Sequence, residues 1–412
     1  MPRRSEAKPR LWMACTLPRP ANGRIHLSRF RNFRKRAILA FGIFAALWGV
    51  GNMSFFTMPH LIEGLVSGQM GLSESRAGLV GTIELMCLAG TIIVLSPRMG
   101  NIARRRLALI GMSIAAAGFG ASSLFDQIPL IIACRAVAGV GAGCAMAAAN
   151  AAIASLDEPE QIYAWTFMLG SPVQAVLISV MPYFVASGGH SGAYAYQAIW
   201  TLGFIALAWF LFPRDVETAE TAVQEKWAPK FLEIVMIFAI FLFLIGDGGT
   251  WSFVERVAIS IGIDIHTYGR VLGVAVLVVP LGAALASAVG MRIGRYWPLV
   301  LGLCGMAASV YVLTHTAVQG VLMGAQLSYN FTYAFALPFV YGTAAAMDPK
   351  GRVIVAAMGV GLIGGASAPF LSGVLAETTG TYETLGVVYG GIFLTVLLLT
   401  ILVSRTLPPP ES

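Results

Sequence analysis

Long apolar runs alternate with short polar breaks along nearly the whole chain. Runs able to cross about 30 Å of hydrocarbon fall at 37–58, 76–97, 106–125, 129–154, 161–186 and 194–213. They resume at 231–256, 268–290, 297–315, 318–347, 352–376 and 384–404. Each is apolar on all sides with isolated polar residues, as a lipid-embedded helix must be, because every backbone amide has to find its partner within the span. The pattern predicts an all-α integral membrane protein of 12 transmembrane helices. One long charged stretch, 214–230, falls near the midpoint and reads as a linker between a first bundle, 37–213, and a second, 231–404. Tails at 1–36 and 405–412 flank them.

Composition agrees with that pattern. Of 412 residues, 57% are hydrophobic and 11% charged, against about 25% charged in an ordinary soluble domain. A soluble enzyme, a disordered hub and a secreted disulfide scaffold are excluded. The net charge of +7 would suit nucleic acid, but its placement does not: eleven of the 27 basic residues lie in the first 36 positions. A basic tail flush against an apolar helix faces anionic headgroups on the cytoplasmic side. The helix behind it is long enough to span and lacks a cleavage pattern, so it reads as an uncleaved first span.

With the N-terminus inside, 23 of the 27 positive charges fall on cytoplasmic segments; Arg76, Arg256 and Arg270 fall outside, and Arg135 lies within a span. Both termini are therefore expected in the cytoplasm, with the chain crossing the cell (inner or plasma) membrane. The five cysteines show no CxxC pair and read as free thiols.

Landmarks repeat between the halves. Arg98-Met99-Gly100 after span 2 matches Arg292-Ile293-Gly294 after span 8; Asp157-Glu158-Pro159 is echoed by Asp348-Pro349, and Pro172 by Pro369. Offsets of 190 to 197 imply two similar bundles related by an axis along the membrane normal.

Span 4 carries Arg135-Ala136-Val137-Ala138-Gly139-Val140-Gly141-Ala142-Gly143. This resembles the fourth-helix RxxxGxGxG pattern of the major facilitator superfamily, and the resemblance covers about residues 37 to 404. The segment after span 2 resembles the family's G-x-x-x-D-R-x-G-R-[KR] gate motif in Arg98 and Gly100, with Pro97 in the Asp position and Asn101 in the Arg position. Its second copy keeps Arg292, Gly294 and Arg295, with Met291 in the Asp position. Span 5 keeps Gly170 and Pro172 of the antiporter-type signature. The resemblance implies a secondary transporter with a cytoplasmic gate at Arg98, Gly100, Arg292, Gly294 and Arg295, and a central cavity lined by spans 1, 4, 7 and 10. Its fourth-helix pattern is often linked to proton coupling.

Ionisable groups at bilayer depth cost about 2.5–3.5 kcal/mol each on insertion scales, so each needs a partner, a wetted cavity or a task. Glu84, Arg135, Asp247 and Glu255 are the candidates. Glu84 and Arg135 enter from the same face at similar depth and can pair. Either Glu84 carries a coupling proton, with Arg135 tuning it or holding solute, or the two form a static ion pair. Asp247, Trp251 and Glu255 recur every four residues on one face of span 7, where Gly246, Gly248 and Gly249 make the helix pliable. Asp247 is expected in the cavity, and Glu255 is expected solvated at the outer boundary beside Arg256.

Trp48, Asn52, Phe55 and Pro59 form a stripe on span 1, and Gln326, Asn330 and Tyr333 another on span 10. With Arg135, Asp247 and Trp251, these stripes would converge on a site for a small organic solute. The alternative for each amide is interhelical bonding. Gln174 in span 5 is a weaker candidate beside Pro172.

Several patterns are set aside. Gly359-Val360-Gly361-Leu362-Ile363-Gly364 matches GxGxxG but follows no strand and reads as close helix packing. His60, His190, His266 and His315 fall near outer span ends and read as interfacial rather than metal-binding. No nucleophile–base pair or phosphate loop occurs, so neither an enzyme nor a cofactor is expected. The expectation is a secondary active transporter working by alternating access, with protons, a small organic solute and the bilayer as partners, no nucleic acid, and no oligomer required. Import and export are equally compatible. A ligand-binding sensor or scaffold and an uncoupled facilitator are the competing readings.

Overall fold

Hydrocarbon offers the backbone no hydrogen-bond partner, so each apolar run closes its own bonds as a helix. In the computed structural model the described residues are 38–156, 159–213, 228–290, 292, 294–348 and 351–407. The basic tail with Cys15, most of the midpoint linker (214–227), Asp157, Glu158, Met291, Ile293, Pro349, Lys350 and the chain after 407 lie outside them.

The first half comprises α1 (Ile38–Val66), α2 (Glu74–Leu95), α3 (Arg104–Ser122), α4 (Ile128–Ala154), α5 (159–188) and α6 (190–211). The last two run together as Pro159–Leu211 and are separated by Gly189, whose φ of 55° only glycine adopts readily. The second half comprises α7 (Phe231–Ser260), α8 (Ile265–Val289), α9 (Tyr296–His315), α10 (Gln319–Met347), α11 (Arg352–Thr379) and α12 (Glu383–Ser404). Because the number of crossings is even, α1 begins and α12 ends on one face, here the terminal face; the other is the far face.

Nine stretches of the described chain are long and apolar enough to cross a membrane, one of them covering both α5 and α6. The two helices outside that set are polar for visible reasons. α3 opens on Arg104, Arg105 and Arg106, and α10 carries Gln326, Tyr329, Asn330 and Tyr333.

α1 extends beyond the expected end at residue 58, continuing through Pro59 to Val66. It contains a π-helical turn, Ala45–Gly51. Such turns widen the helix and leave carbonyls to other donors. Here Asn52 Nδ2 donates to the Leu47 carbonyl at 2.9 Å, and Gln174 Nε2 on α5 donates to the Trp48 carbonyl at 2.6 Å.

The halves meet through α2 against α11, α5 against α8, and α1 against α7. Close approach is built toward the far face. A Cβ on Gly78 would overlap the Pro369 carbonyl oxygen, and one on Gly373 would overlap the Glu74 carbonyl. The Phe370 amide donates to Thr82 Oγ1 at 3.0 Å across the same seam. Gly78→Ala is therefore expected to pry α2 from α11 at a cost of about 1–3 kcal/mol. A cysteine at position 82, in a background without native cysteines, should then react at least several-fold faster with a membrane-impermeant maleimide. Unchanged reactivity would show that the seam tolerates the methyl group.

Candidate functional site

Between the halves lies a cavity of about 220 Å³. From the first half α1 supplies Trp48, Phe55 and Phe56, and α5 supplies Phe167, Gly170, Ser171 and Gln174. From the second, α7 supplies Asp247 and Trp251, α8 Val276, Val279 and Ala283, and α10 Tyr329, Asn330, Tyr333 and Pro338 with their neighbours. Trp48 donates from Nε1 to Thr166 Oγ1 at 3.2 Å and meets Phe167 edge-on at 5.4 Å between ring centres. Tyr333 stacks on Phe243 at 5.9 Å.

Asp247 is buried, with 6% of its surface exposed, and its Oδ1 accepts a 2.9 Å hydrogen bond from Tyr329 Oη. Tyr329 accordingly belongs to the site. It is missing from the stripe expected on span 10, although its position three residues after Gln326 and four before Tyr333 puts it on the same helical face.

Successive turns of α7 serve different layers. Asp247 and Trp251 line the cavity, and Trp251 Nε1 donates to the Phe55 carbonyl at 2.9 Å across the halves. That carbonyl lies four residues before Pro59, so the proline's missing N–H leaves it free for the indole. One turn further, Glu255 is fully buried with Oε2 2.5 Å from His60 Nδ1 on α1. His60 Nε2 and Glu255 Oε1 find no hydrogen-bond partner among the described residues.

At the rim, Arg256 bonds Glu63 on α1 (2.8 Å), Ser67 just after it (2.9 Å) and Glu74 on α2 (2.7 and 3.1 Å). Tyr382 Oη also donates to Glu74 at 2.5 Å, and burial together with that carboxylate raises the phenol's pKa. The Ser75 amide donates to Glu377 at 3.1 Å. The far face is thus closed by an ionic cluster that joins the halves.

Several expectations are corrected here. Glu255 is not solvated at the boundary but sealed with His60, because α1 continues past Pro59 and covers it. His60 and His190 are accordingly buried rather than interfacial. His190 Nε2 lies 3.3 Å from the Phe125 carbonyl.

Of the expected solute-binding residues, Trp48, Phe55, Asp247, Trp251, Asn330 and Tyr333 line the cavity, as does Gln174. Asn52, Arg135 and Gln326 do not. The amide of Asn52 is taken by the π turn of its own helix. Gln326 is fully buried, accepting from Tyr268 Oη at 2.9 Å and donating to Asn330 Oδ1 at 2.7 Å, so it holds Asn330 in place.

Arg135 lies inside the first half, fully buried, with Glu84 1% exposed. Its Nη2 and Nε both bond Glu84 Oε2, the latter at 3.1 Å, and Nη1 reaches Gln197 Oε1 at 3.3 Å. Ser54 Oγ donates to the other Glu84 oxygen. The guanidinium also faces the rings of Tyr194 (4.4 Å) and Phe119 (4.8 Å). The glycines of the span 4 motif explain this placement. Side chains on Gly139 and Gly143 would strike the Glu84 and Leu88 carbonyls of α2, and one on Gly141 would strike α3 at Gly111 and Ala115.

On the terminal face Arg98 Nη1 donates to the Val94 carbonyl of its own helix at 2.7 Å, and Gly100 sits in the 3₁₀ turn Ser96–Asn101. Arg292 is exposed, Gly294 adopts a φ of 71°, and Arg295 immediately precedes α9. No ion pair joins these arginines to an acidic residue among the described residues. Gly361 and Gly364 of the set-aside GxGxxG run pack against α7 at Leu244 and Phe241. No group of three or more potential metal ligands occurs among the described residues.

The family profile described as Major Facilitator Superfamily matches residues 39–234. No curated protein matches the chain. Among solved structures, a bacterial homolog of the human lysosomal transporter Spinster, inward-facing and unoccupied, superposes with a TM-score of 0.69 at 14% identity. That match covers 91% of this chain and 98% of the other. A nucleoside transporter, NupG, gives 0.67 at 12% identity over 90% and 99%, and a D-xylose–proton symporter 0.65 at 15% over 90% and 98%. Residues 39–234 thus match the Major Facilitator Superfamily profile, and the chain as a whole shares the all-α membrane fold of these solved transporters.

Proposed function

We propose that the protein is a secondary active transporter that moves a small organic solute by alternating access, driven by protons. Its halves, 37–213 and 231–404 joined through 214–230, would rock about the central cavity. The observation that carries this reading is Asp247: a carboxyl on the wall of a cavity between the halves, at the middle of a span. A carboxyl there neutralises on protonation, so its charge can change as the cavity turns from one face to the other. The far-face closure by Arg256, Glu63 and Glu74 fits a cavity turned toward the terminal face. The count of 23 positive charges of 27 supports that face as cytoplasmic, in the cell membrane. The arginines at Arg98, Arg292 and Arg295 would form its gate.

The test is transport in proteoliposomes with a radiolabelled panel of acids, amines, sugars and nucleosides, with and without an imposed pH gradient. The pH gradient should drive at least one solute to accumulate, and Asp247→Asn should reduce that accumulation more than tenfold. Flux indifferent to the gradient would establish facilitation instead, and specific binding without flux would establish a sensor.

A further inference from the structure

Two arginines, one inside the first half and one at the rim, are each compensated. Arg135 is bound to Glu84 inside the first half, and Arg256 to Glu63 and Glu74 at the rim. Asp247 is not. Among the described residues it is the one carboxyl lining the cavity, and no lysine, arginine or histidine lines it. One of its oxygens accepts from Tyr329; the other has no partner among the described residues.

Hydrogen-bonding capacity around it is mixed, since the Asn330 amide N–H groups and the Tyr333 hydroxyl also have no partner among the described residues. The indole N–H of Trp48 is given to Thr166, that of Trp251 to the Phe55 carbonyl, and the Gln174 amide N–H to the Trp48 carbonyl. Acceptors are left over. Gln174 Oε1 is buried without a partner, and Pro280 and Pro338 deprive the Val276 and Ala334 carbonyls of their usual helical donors. Val276 and Ala334 both line the cavity. Much of the remaining wall is aromatic, from Trp48, Phe55, Phe56, Phe167, Trp251 and Tyr333, and the rest is aliphatic.

An unbalanced carboxylate among ring faces favours a positive guest and disfavours a negative one. We infer that the transported solute is a small organic cation, a protonated or quaternary amine with an apolar body, whose charge is held by Asp247 and the surrounding rings. The assignment rests on the transporter reading above and names the substrate class of that same cavity. Size is consistent: a cavity of about 150 Å³ accepts benzene, so about 220 Å³ admits an aromatic ring with a small charged substituent.

The experiment compares benzyltrimethylammonium, benzyl alcohol and phenylacetate as ligands of the full-length purified protein, by thermal shift and tryptophan fluorescence. The cation should bind saturably and at least tenfold more tightly than the alcohol, and phenylacetate should not bind. Asp247→Asn should remove the tenfold preference while leaving the alcohol unaffected. Should that variant not fold, the order of the three ligands on the unaltered protein decides alone. Phenylacetate binding as well as the cation, or the cation no better than the alcohol, would overturn the assignment. Counterflow of labelled benzyltrimethylammonium in proteoliposomes separates the two readings. Selective binding without counterflow refutes transport through this cavity and leaves the cation assignment standing. Flux of other panel solutes without cation binding does the reverse.

Discussion

Glu84→Gln is expected to cripple folding rather than coupling. The substitution leaves the guanidinium of Arg135 fully buried with no counter-charge, held by neutral groups only: Gln197, Ser54, two ring faces and at most the new amide oxygen. Removing one partner of such a pair typically costs about 3–5 kcal/mol, because the other charge stays in a low-dielectric site. The purified variant should melt well below the parent and express poorly. The double variant Glu84→Gln with Arg135→Met removes the stranded charge and should recover most of the loss, since the pair's own net contribution is small.

The comparison also tests the alternative role. If Glu84→Gln melts with the parent yet no longer accumulates solute under a pH gradient, Glu84 carries the proton and Arg135 tunes it. Geometry favours the static role. The pair is closed on all sides by Ser54, Gln197, Tyr194 and Phe119, and neither member lines the cavity.

That outcome marks where sequence patterns were informative. Helix positions followed from apolar run length alone, because lipid enforces one rule on every span. Pairing of Glu84 with Arg135 was legible from depth, since two opposite charges at one level of a bundle have few other partners. Facing was harder. Span 4 was expected to present Arg135 to the centre, but a rotation of α4 set by its glycines turns that residue into the first half. Asn52 and Gln326 sit on cavity-lining helices at plausible spacing, yet each amide is taken by a neighbour on its own helix. The π turn in α1 shifts the register by which such stripes are read, and nothing in the run AALWGVG announces it.

The far-face cluster was hidden for a different reason. Glu63, Glu74 and Arg256 are near span ends, where charges are ordinarily solvated, and their convergence depends on how two distant segments dock. His60 and Glu255 are 195 residues apart in sequence and meet only because α1 runs on past its proline.

Arg256→Gln should release that cluster and open the far face. One guanidinium compensates two carboxylates, Glu63 and Glu74, from the first half, and it reaches them from α7 in the second. Its loss leaves both acids facing α7 without that cation, so the seam loses attraction and holds one buried and one partly buried carboxylate without it. What remains across the halves here is the His60–Glu255 contact, the Tyr382–Glu74 bond and the Ser75–Glu377 bond. A loss of about 3 kcal/mol corresponds to a shift of on the order of 100-fold in the balance between closed and open far faces.

Spin labels at the exposed positions Gln69 and Ser260, one in each half, report the separation directly by pulsed electron resonance. The parent should give a short, narrow distance distribution. Arg256→Gln should add a longer component that dominates, and Arg256→Lys, which keeps the charge but not the fork, should fall between them. A distribution unchanged in Arg256→Gln would shift the task of closure to the α2–α11 glycine seam and to the buried His60–Glu255 pair. The rim cluster would then be a consequence of closure and not its cause.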